Sequence, residues 1–402
     1  MQEMMGGVTA PTGFMASGVT ADIKGKGGTK KDVAVIFSRV PSAAAGVYTT
    51  NKVKAAPVVL TQARTAMGRL QAIVINSGNA NACTGDQGMQ DAIAMGELAA
   101  RGLGLEPEAV GVASTGVIGV TLPMDRVKAG IAQAAAAITA EGGQAAAEAI
   151  MTTDTVDKQY AVRLDLGGVA VTIGAMAKGS GMIHPNMATM LGVVTTDAAV
   201  DPAALQLALK AATEKSFNMI TVDGDMSTND CVILLANGLA KNPKVVLGTM
   251  LYDTFAMALE QVLIHLAKRV ARDGEGATKL MEMRVKGAPS AADARMAAKA
   301  VCGSMLTKAA VFGADANWGR VLAALGYSGA EFDPGKVDLW LGDLQMMKAG
   351  APVPFSEAEA AKVLAGDTVI FTADLHSGGA EATAWGCDLT YDYVKINGDY
   401  RT

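Results

Sequence analysis

Residues Lys178 to Met190 have the sequence KGSGMIHPNMATM, in which one threonine stands among apolar residues after two glycines and a proline. A hydroxyl nucleophile needs a base to accept its proton. His184 precedes Thr189 by five residues, which is not a recognised triad spacing, and a partly exposed loop histidine is the favoured interpretation. If the chain is cut before Thr189, the new α-amine, with a pKa of about 7.7–8.0, can accept the proton instead.

The elements on either side of this stretch indicate the fold class. Val162 to Met176 alternates around a Gly-Gly pair and predicts a β-hairpin, and Met190 to Thr196 predicts a strand. Further strands are predicted at Asp32 to Ser38, Leu70 to Asn76, Asp230 to Leu235 and Met281 to Lys286. Helices are predicted at Gly85 to Leu103, Arg126 to Ile138, Gln144 to Met151, Asp201 to Ser216, Leu251 to Arg272 and Ala291 to Cys302. This mixture favours an α/β or α+β protein, without the even alternation of a TIM barrel or a glycine-rich dinucleotide motif.

The composition excludes several classes of protein. The chain has 402 residues, of which 50% are hydrophobic and 18% charged, and its net charge is −5. A largely disordered chain is excluded, and the mild acidity argues against non-specific nucleic-acid binding, which needs a basic surface. No apolar run reaches the ~20 residues of a membrane span, and Met1 to Thr20 lacks the pattern of a secretory signal. We expect a cytoplasmic protein of two or three domains.

Neither the cysteines nor the histidines support a metal site. The four cysteines are far apart with no C-x-x-C pair, so we expect reduced thiols, and only three histidines are present. The segment VDGDMSTND brings Asp223, Asp225 and Asp230 together, which could indicate a cation site. It lacks the EF-hand spacing, and an Asx-rich turn is the favoured interpretation. We therefore expect no metal and no cofactor.

Four other segments could carry chemistry, each with a simpler alternative. Asn76 to Gly85, NSGNANACTG, could bind an anion at a helix start, although a turn with a helix cap is the favoured interpretation for this segment alone. Ser114 to Gly119, STGVIG, offers a hydroxyl beside a glycine amide for an oxyanion, or is an ordinary link after a strand. Arg272 to Lys279, RDGEGATK, could project Glu275 from a tight loop or simply end a helix. Ile396 to Thr402 has the composition of a frayed tail.

In their order along the chain, these segments resemble the ornithine acetyltransferase family of arginine biosynthesis, also called bifunctional glutamate N-acetyltransferases. The resemblance covers nearly the whole chain. It is carried by VTAPTGF (8–14), AGVYTTNKVKAAPV (45–58), NSGNANACTG, ASTGVIG, KGSGMIHPNMATML, DGDMSTNDC, RDGEGATK, FGADANWGR (312–320) and YVKINGDYRT. Each segment alone is weak evidence, but nine in the same order are not expected by chance.

The resemblance implies an α+β fold with sheets sandwiched between helices and a smaller C-terminal domain. We place the main catalytic domain at residues 1–280 and the smaller domain at 281–402, with its tail returning to the active site. The family is made as one precursor that cuts itself, here between Ala188 and Thr189, and its cleaved pairs assemble as dimers.

The implied reaction is ping-pong acetyl transfer. Thr189 takes the acetyl group of N2-acetylornithine and passes it to glutamate, while the Thr115 hydroxyl and the Gly116 N–H form the oxyanion hole. Glu275 can pair with the ammonium group of the substrate and Lys178 with its α-carboxylate. The implied substrate contacts are Thr155, Lys178, Thr189, Glu275, Asn397 and Thr402.

Three alternatives stay open at this point. Bifunctional members also accept acetyl-CoA as the donor, and no residue here decides that question. An aminopeptidase of the same self-cleaving fold would use the same threonine to hydrolyse amides, although RDGEGATK and INGDYRT favour the transferase. An uncleaved protein that binds amino acids without catalysis is the alternative from a different class.

Overall fold

The computed structural model of the chain describes residues 1–184 and 190–399. Within these ranges there are sixteen β-strands and eleven α-helices, and the strands form two sheets. Helices cover both faces of the larger sheet, so the predicted α+β class is confirmed.

The larger sheet runs in the order β1, β6, β7, β8, β10, β3, β4, β5, with β2 paired to β3. Its strands are β1 (Gln2–Met4), β2 (Phe14–Val19), β3 (Val33–Tyr48), β4 (Arg69–Asn76), β5 (Val110–Ser114), β6 (Lys158–Asp165), β7 (Ala170–Lys178), β8 (Leu191–Thr196) and β10 (Cys231–Ala236). The smaller sheet contains β9 (Ile220–Thr221), β11 (Leu280–Ala288), β12 (Asp338–Leu341), β13 (Leu344–Lys348), β14 (Ala351–Pro352), β15 (Thr368–Asp374) and β16 (Ala380–Cys387).

The helices are mostly amphipathic and bury one side on the sheets. They are α1 (Ala56–Thr65), α2 (Gly85–Leu103), α3 (Met124–Ala136), α4 (Gly143–Ala149), α5 (Pro202–Lys215), α6 (Met250–Arg272), α7 (Ala291–Gly303), α8 (Met305–Phe312), α9 (Trp318–Gly326), α10 (Glu357–Leu364) and α11 (Tyr391–Asp399). No helix in the described ranges is both long and apolar enough to cross a membrane.

Side-chain alternation along the strands separates the core into layers. Val33 and Val35 of β3 pack towards α2 and α3, whereas Ala34 and Ile36 pack on the other face of the sheet with residues of α1 and α4. The third and largest core cluster lies between the two sheets and includes the buried sides of α5, α6 and α7. The sheets are therefore joined through packed helices.

The register of three neighbouring strands brings distant residues to one edge. Lys178, the last residue of β7, pairs with Leu191, the first residue of β8. Leu191 also pairs with Cys231 at the start of β10, because β8 and β10 run parallel. The loops before β8 and β10 therefore approach the end of β7. Beyond β3 in the same sheet, β4 and β5 end side by side, with Asn76 paired to Ser114.

The helix predicted at Gly85 to Leu103 has those bounds in the structure. The strand predicted at Asp32 to Ser38 is instead the first half of β3, which continues to Tyr48. Its second half is rich in alanine, a residue depleted in strands, and forms because Ala43 to Tyr48 pairs with β10.

The boundary predicted at residues 280 and 281 falls at the start of β11, which opens the smaller sheet. β9 nevertheless pairs with β16, and α6 packs on strands of both sheets. The division into two domains stays a prediction.

Candidate active site

The loops that follow β4 and β5 are joined by hydrogen bonds through polar side chains. The Ser114 hydroxyl donates to Asn76 Oδ1 at 2.6 Å, and the Thr115 N–H donates to the Asn76 carbonyl at 3.0 Å. The Asn229 amide reaches across from the segment before β10 and donates to the carbonyls of Ala80 at 2.6 Å and Ser114 at 2.8 Å. These bonds hold Thr115 at a fixed position next to the β10 segment.

Gly116 is required by its close contacts. Its φ is +135°, and a Cβ there would lie 2.3 Å from the Gly78 carbonyl carbon and 2.4 Å from the Asn79 nitrogen. Its N–H donates no hydrogen bond to another described residue. The Thr115 hydroxyl and the Gly116 N–H are neighbouring groups, and their role as donors to an oxyanion stays a prediction.

Lys178 carries a buried ammonium group. Its Nζ lies 2.8 Å from the Thr152 hydroxyl and 3.4 Å from the Thr115 hydroxyl. In the described part of the chain, no carboxylate oxygen lies within 4.0 Å of it. Burial lowers the pKa of Lys178, and the charge of Asp154 opposes this. A buried cation bonded only to hydroxyl groups favours an anionic ligand such as a carboxylate.

A buried ion network supports this lysine from behind. Lys158 Nζ lies 2.8 Å from Asp154 Oδ1 and 2.6 Å from Asp273 Oδ2, and all three side chains are almost inaccessible to solvent. Asp154 also accepts the Gly179 N–H at 2.7 Å. Burial raises the pKa of Asp154, but the ammonium groups of Lys178 and Lys158 outweigh it and hold the pKa well below its usual range. Asp154 therefore stays ionised, and its bond to Gly179 fixes the backbone just after Lys178.

The same network holds the turn that carries Glu275. The Ser180 hydroxyl donates to the Asp273 carbonyl at 2.7 Å, and the Glu275 N–H donates to the Ser180 carbonyl at 3.1 Å. The Glu275 side chain is buried against Gly181, where a Cβ would lie 2.4 Å from its carboxyl carbon. Asn397 Nδ2 donates to Glu275 Oε2 at 2.7 Å. Asn397 belongs to α11, so the segment expected to be a frayed tail is helical up to Asp399.

These groups share one cavity of about 270 Å³. The sequence-predicted residues that line it are Thr115, Gly116, Lys178, Glu275 and Asn397. Ile183 and Met190, on either side of residues 185–189, line it too. Ala188, Thr189 and Thr402, which were also predicted to act in the site, lie outside the described residues.

Thr155 does not line this cavity. It is exposed in a neighbouring groove, and both its N–H and its hydroxyl bond to the Asp273 carboxylate. Thr152, which sequence reasoning missed, lines the cavity and contacts Lys178. The run TTDT at 152–155 indicates a hydroxyl-rich loop, but it does not tell that Thr152 and Thr153 line the cavity while Thr155 does not.

The three-aspartate segment forms a turn, as predicted. Asp223 accepts the N–H groups of Met182 at 2.6 Å and Ile183 at 2.8 Å, and the N–H of Asp225 at 3.2 Å. Across the described ranges, no cluster of three or more potential ligand side chains could hold a metal. Asp223, Asp225 and Asp230 line the cavity, which is a role the turn motif did not indicate.

His184 lies outside the cavity lining and is half-buried. Its Nδ1 lies 2.9 Å from the Thr221 hydroxyl. Burial and the charge of Lys299 lower its pKa to about 4, so the imidazole is neutral at pH 7. This agrees with the structural role favoured from the sequence.

Known proteins match the chain over most of its length. A sequence model described as the ArgJ family matches residues 15–402. The arginine biosynthesis bifunctional protein ArgJ of Symbiobacterium thermophilum is 73% identical over 402 residues, which is 100% of both chains. A crystal structure of the Bacillus halodurans protein of that name at 2.00 Å has 49% identity and a TM-score of 0.51, covering 52% of this chain and 98% of its own. An ornithine acetyltransferase from Mycobacterium tuberculosis, solved in complex with ornithine, has 44% identity and a TM-score of 0.43, covering 46% of this chain and 98% of its own.

The buried network generates a prediction about stability. Replacing Lys158 with methionine leaves Asp154 and Asp273 buried without their cation, which typically costs about 3–5 kcal/mol of the free energy of unfolding. Urea denaturation at neutral pH measures the loss. The matched control is Lys215→Met, because the Lys215–Glu260 pair is exposed and barely affects stability. Equal midpoints for the two variants would contradict the role given to the network.

Proposed function

This chain belongs to the ArgJ family, and from this membership we propose that it transfers the acetyl group of N2-acetylornithine to glutamate, with Thr189 as the nucleophile. One observation carries the proposal: a single cavity combines the paired donors of Thr115 and Gly116, the buried Lys178 ammonium and the Glu275 carboxylate. It is lined by residues on both sides of the segment that contains Thr189.

The first step is cleavage of the precursor. The Thr189 hydroxyl attacks the Ala188 carbonyl, the acyl group moves from nitrogen to oxygen, and water hydrolyses the ester. The free α-amine of Thr189 then serves as the base. The length of the Bacillus halodurans chain supports cleavage of the precursor into two pieces. Almost all of that chain, 98%, aligns with only 52% of this one, so it is about half as long. A product from 189 to 402 would likewise be slightly more than half of the chain.

Acetyl transfer follows in two half-reactions. The Thr189 hydroxyl attacks the acetyl carbonyl of N2-acetylornithine, its proton passes to the α-amine, and ornithine leaves with a proton. The amine of glutamate then attacks the acetyl-threonine ester and regenerates the hydroxyl. Each step has a tetrahedral oxyanion, which Thr115 and Gly116 stabilise.

Charge complementarity orients the substrate. The α-carboxylate binds Lys178, whose ammonium has hydroxyl groups as its only close partners in the described part of the chain. The side-chain ammonium of ornithine binds Glu275 and Asn397. We assign the contact near Lys178 to Thr152 in place of Thr155, because Thr152 lines the cavity. A contact from Thr402 belongs to the same proposal.

The remaining features of the function follow from family membership. The curated relatives are called bifunctional, so we propose acetyl-CoA as a second donor to glutamate. We also propose a cytoplasmic dimer of cleaved pairs that needs no cofactor. A self-cleaving aminopeptidase is the second candidate, and the separate groups for a carboxylate and an ammonium favour an amino-acid acceptor over water.

Self-cleavage predicts the mass of the purified protein. Wild-type chain gives two fragments that meet at Ala188–Thr189, and Thr189→Ala gives one uncut chain because the attacking hydroxyl is gone. Intact mass spectrometry distinguishes them. A wild-type chain that remains uncut has no α-amine to act as base, so the mechanism would be abandoned for the binding-protein alternative.

The oxyanion hole predicts the effect of removing one donor. Thr115→Ala lowers kcat by about 100- to 1000-fold, corresponding to about 2.7–4 kcal/mol of barrier, because the hydroxyl stabilises charge that develops only in the transition state. Steady-state assays of ornithine release, normalised to cleaved enzyme, measure it. Thr115→Ser keeps the hydroxyl and retains most of the activity; equal losses in both variants would refute the role.

Substitutions of Thr152 and of Thr155 are expected to have different effects on activity. Thr152→Val lowers kcat/KM for N2-acetylornithine about tenfold or more, because a hydroxyl bonded to the Lys178 ammonium is lost. Thr155→Val changes kcat/KM by less than about threefold, because the side chain is exposed outside the cavity. The reverse order of effects would restore the assignment to Thr155.

A further inference from the structure

The charges around the cavity are unequal. Four carboxylates line it, from Asp223, Asp225, Asp230 and Glu275. Among the described lining residues, Lys178 is the single lysine or arginine. A cavity of this kind suits a ligand with one carboxylate and one ammonium group, such as N2-acetylornithine. It does not suit a ligand with two carboxylates.

The surroundings of Glu275 offer acceptors for hydrogen bonds. Both hydrogens of the Asn397 amide are used, by Glu275 Oε2 at 2.7 Å and by the Tyr393 carbonyl at 3.0 Å. The atom of that amide that can contact a ligand is therefore its oxygen, which accepts hydrogen bonds. Glu275 itself packs on Gly181, which has no side chain to donate. An ammonium group bound here would have hydrogen-bond acceptors, whereas a carboxylate bound here would face the Glu275 carboxylate.

The described residues around Glu275 include further carboxylates. Asp223 and Asp225 add negative charge near Tyr393, whose pKa is raised by burial and by these carboxylates together with Glu275. Asp273 is already paired with Lys158.

Two basic residues of this region line a different groove. Arg272 and Lys395, together with Asp392, line a neighbouring groove to which Glu275 does not contribute. Lys178 is the cation assigned to the α-carboxylate. Of these three basic groups, only Lys178 lines the cavity, and it is already assigned to the α-carboxylate.

The two amino-acid substrates put opposite charges at the same point. The side-chain nitrogen of ornithine and the side-chain carboxylate oxygens of glutamate are each four bonds from Cα. With the α-carboxylate on Lys178 and the amine at the acetyl group, both side chains must extend towards Glu275. This step rests on the proposed function.

We propose that glutamate binds together with one proton, which its side-chain carboxylate shares with the Glu275 carboxylate. Two carboxylates that share a buried site cannot both stay ionised, so the pair keeps one proton between them. The proton enters from solvent with glutamate and returns when N-acetylglutamate leaves. Glu275 thus serves both substrates: it is ionised for ornithine and hydrogen-bonded through a shared proton for glutamate.

The sign of the pH dependence follows. Binding of glutamate consumes a proton, so its affinity falls as the pH rises. Binding of ornithine requires ionised Glu275, so its affinity does not fall in the same way. The α-ammonium group is common to both ligands, and its ionisation cancels in the comparison between them.

Calorimetry in the absence of an acetyl donor tests the proposal. The cleaved wild-type enzyme is titrated with glutamate and with ornithine at about pH 7.5 in buffers of different ionisation enthalpy, which gives the protons taken up by each ligand. We expect uptake with glutamate to exceed that with ornithine by about 0.5–1 proton per site. Glu275→Gln removes the difference. Asp225→Asn is the matched control, since it neutralises a different carboxylate of the same cavity and keeps the difference.

The outcomes separate this inference from the proposed function. Equal proton uptake for the two ligands in wild-type enzyme overturns the shared proton while leaving acetyl transfer intact. A difference that persists in Glu275→Gln and disappears in Asp225→Asn also overturns it, because the proton would then reside on another carboxylate. Failure of both ligands to bind would instead count against the proposed function itself.

Discussion

The site depends on one buried cation. Lys158 joins Asp154, which holds the Gly179 N–H, to Asp273, which begins the turn that carries Glu275. Without this ammonium group, two buried carboxylates would repel each other, and the two loops that they fix would lose their common anchor. Buried ion pairs are poor contributors to net stability, so this one is better explained by the precise placement that it gives to the polar loops.

Strand ends supply the rest of the placement. Because β7 and β8 are antiparallel neighbours and β8 and β10 are parallel, Lys178, Leu191 and Cys231 lie next to one another. Asn229 then reaches from the start of β10 to the loop after β5, so the donors at Thr115 join the same cavity. Residues more than a hundred positions apart meet because main-chain pairing leaves little freedom at these ends.

Periodicity and motifs predicted part of this arrangement. The apolar spacing of α2 is regular enough to give its bounds, and the order of the glycine-rich segments indicated Lys178 and Glu275. Patterns of this kind fail where tertiary contacts decide. The alanine-rich half of β3 is a strand only through its partner β10, and α11 was expected to fray although Asn397 is held by Glu275. The choice of Thr152 over Thr155 depends on how Asp154 turns inward to Lys158, which no local pattern records.

The chemistry of the cavity also restricts which base can act there. All three histidines belong to the described residues, and none lines the cavity. His265 stacks on Tyr160 with ring centroids 3.7 Å apart, and His376 bonds to Asp338 at 2.9 Å. Burial, together with a smaller effect of the Lys299 charge, lowers the pKa of His184 to about 4, so its imidazole is a weak base. Burial lowers the pKa of Lys178 and the charge of Asp154 opposes this, and in the proposed mechanism its ammonium group binds the carboxylate of the substrate. With no histidine in the described lining, the proposed mechanism takes its base from the nucleophile itself, as the α-amine that cutting the chain before Thr189 would release.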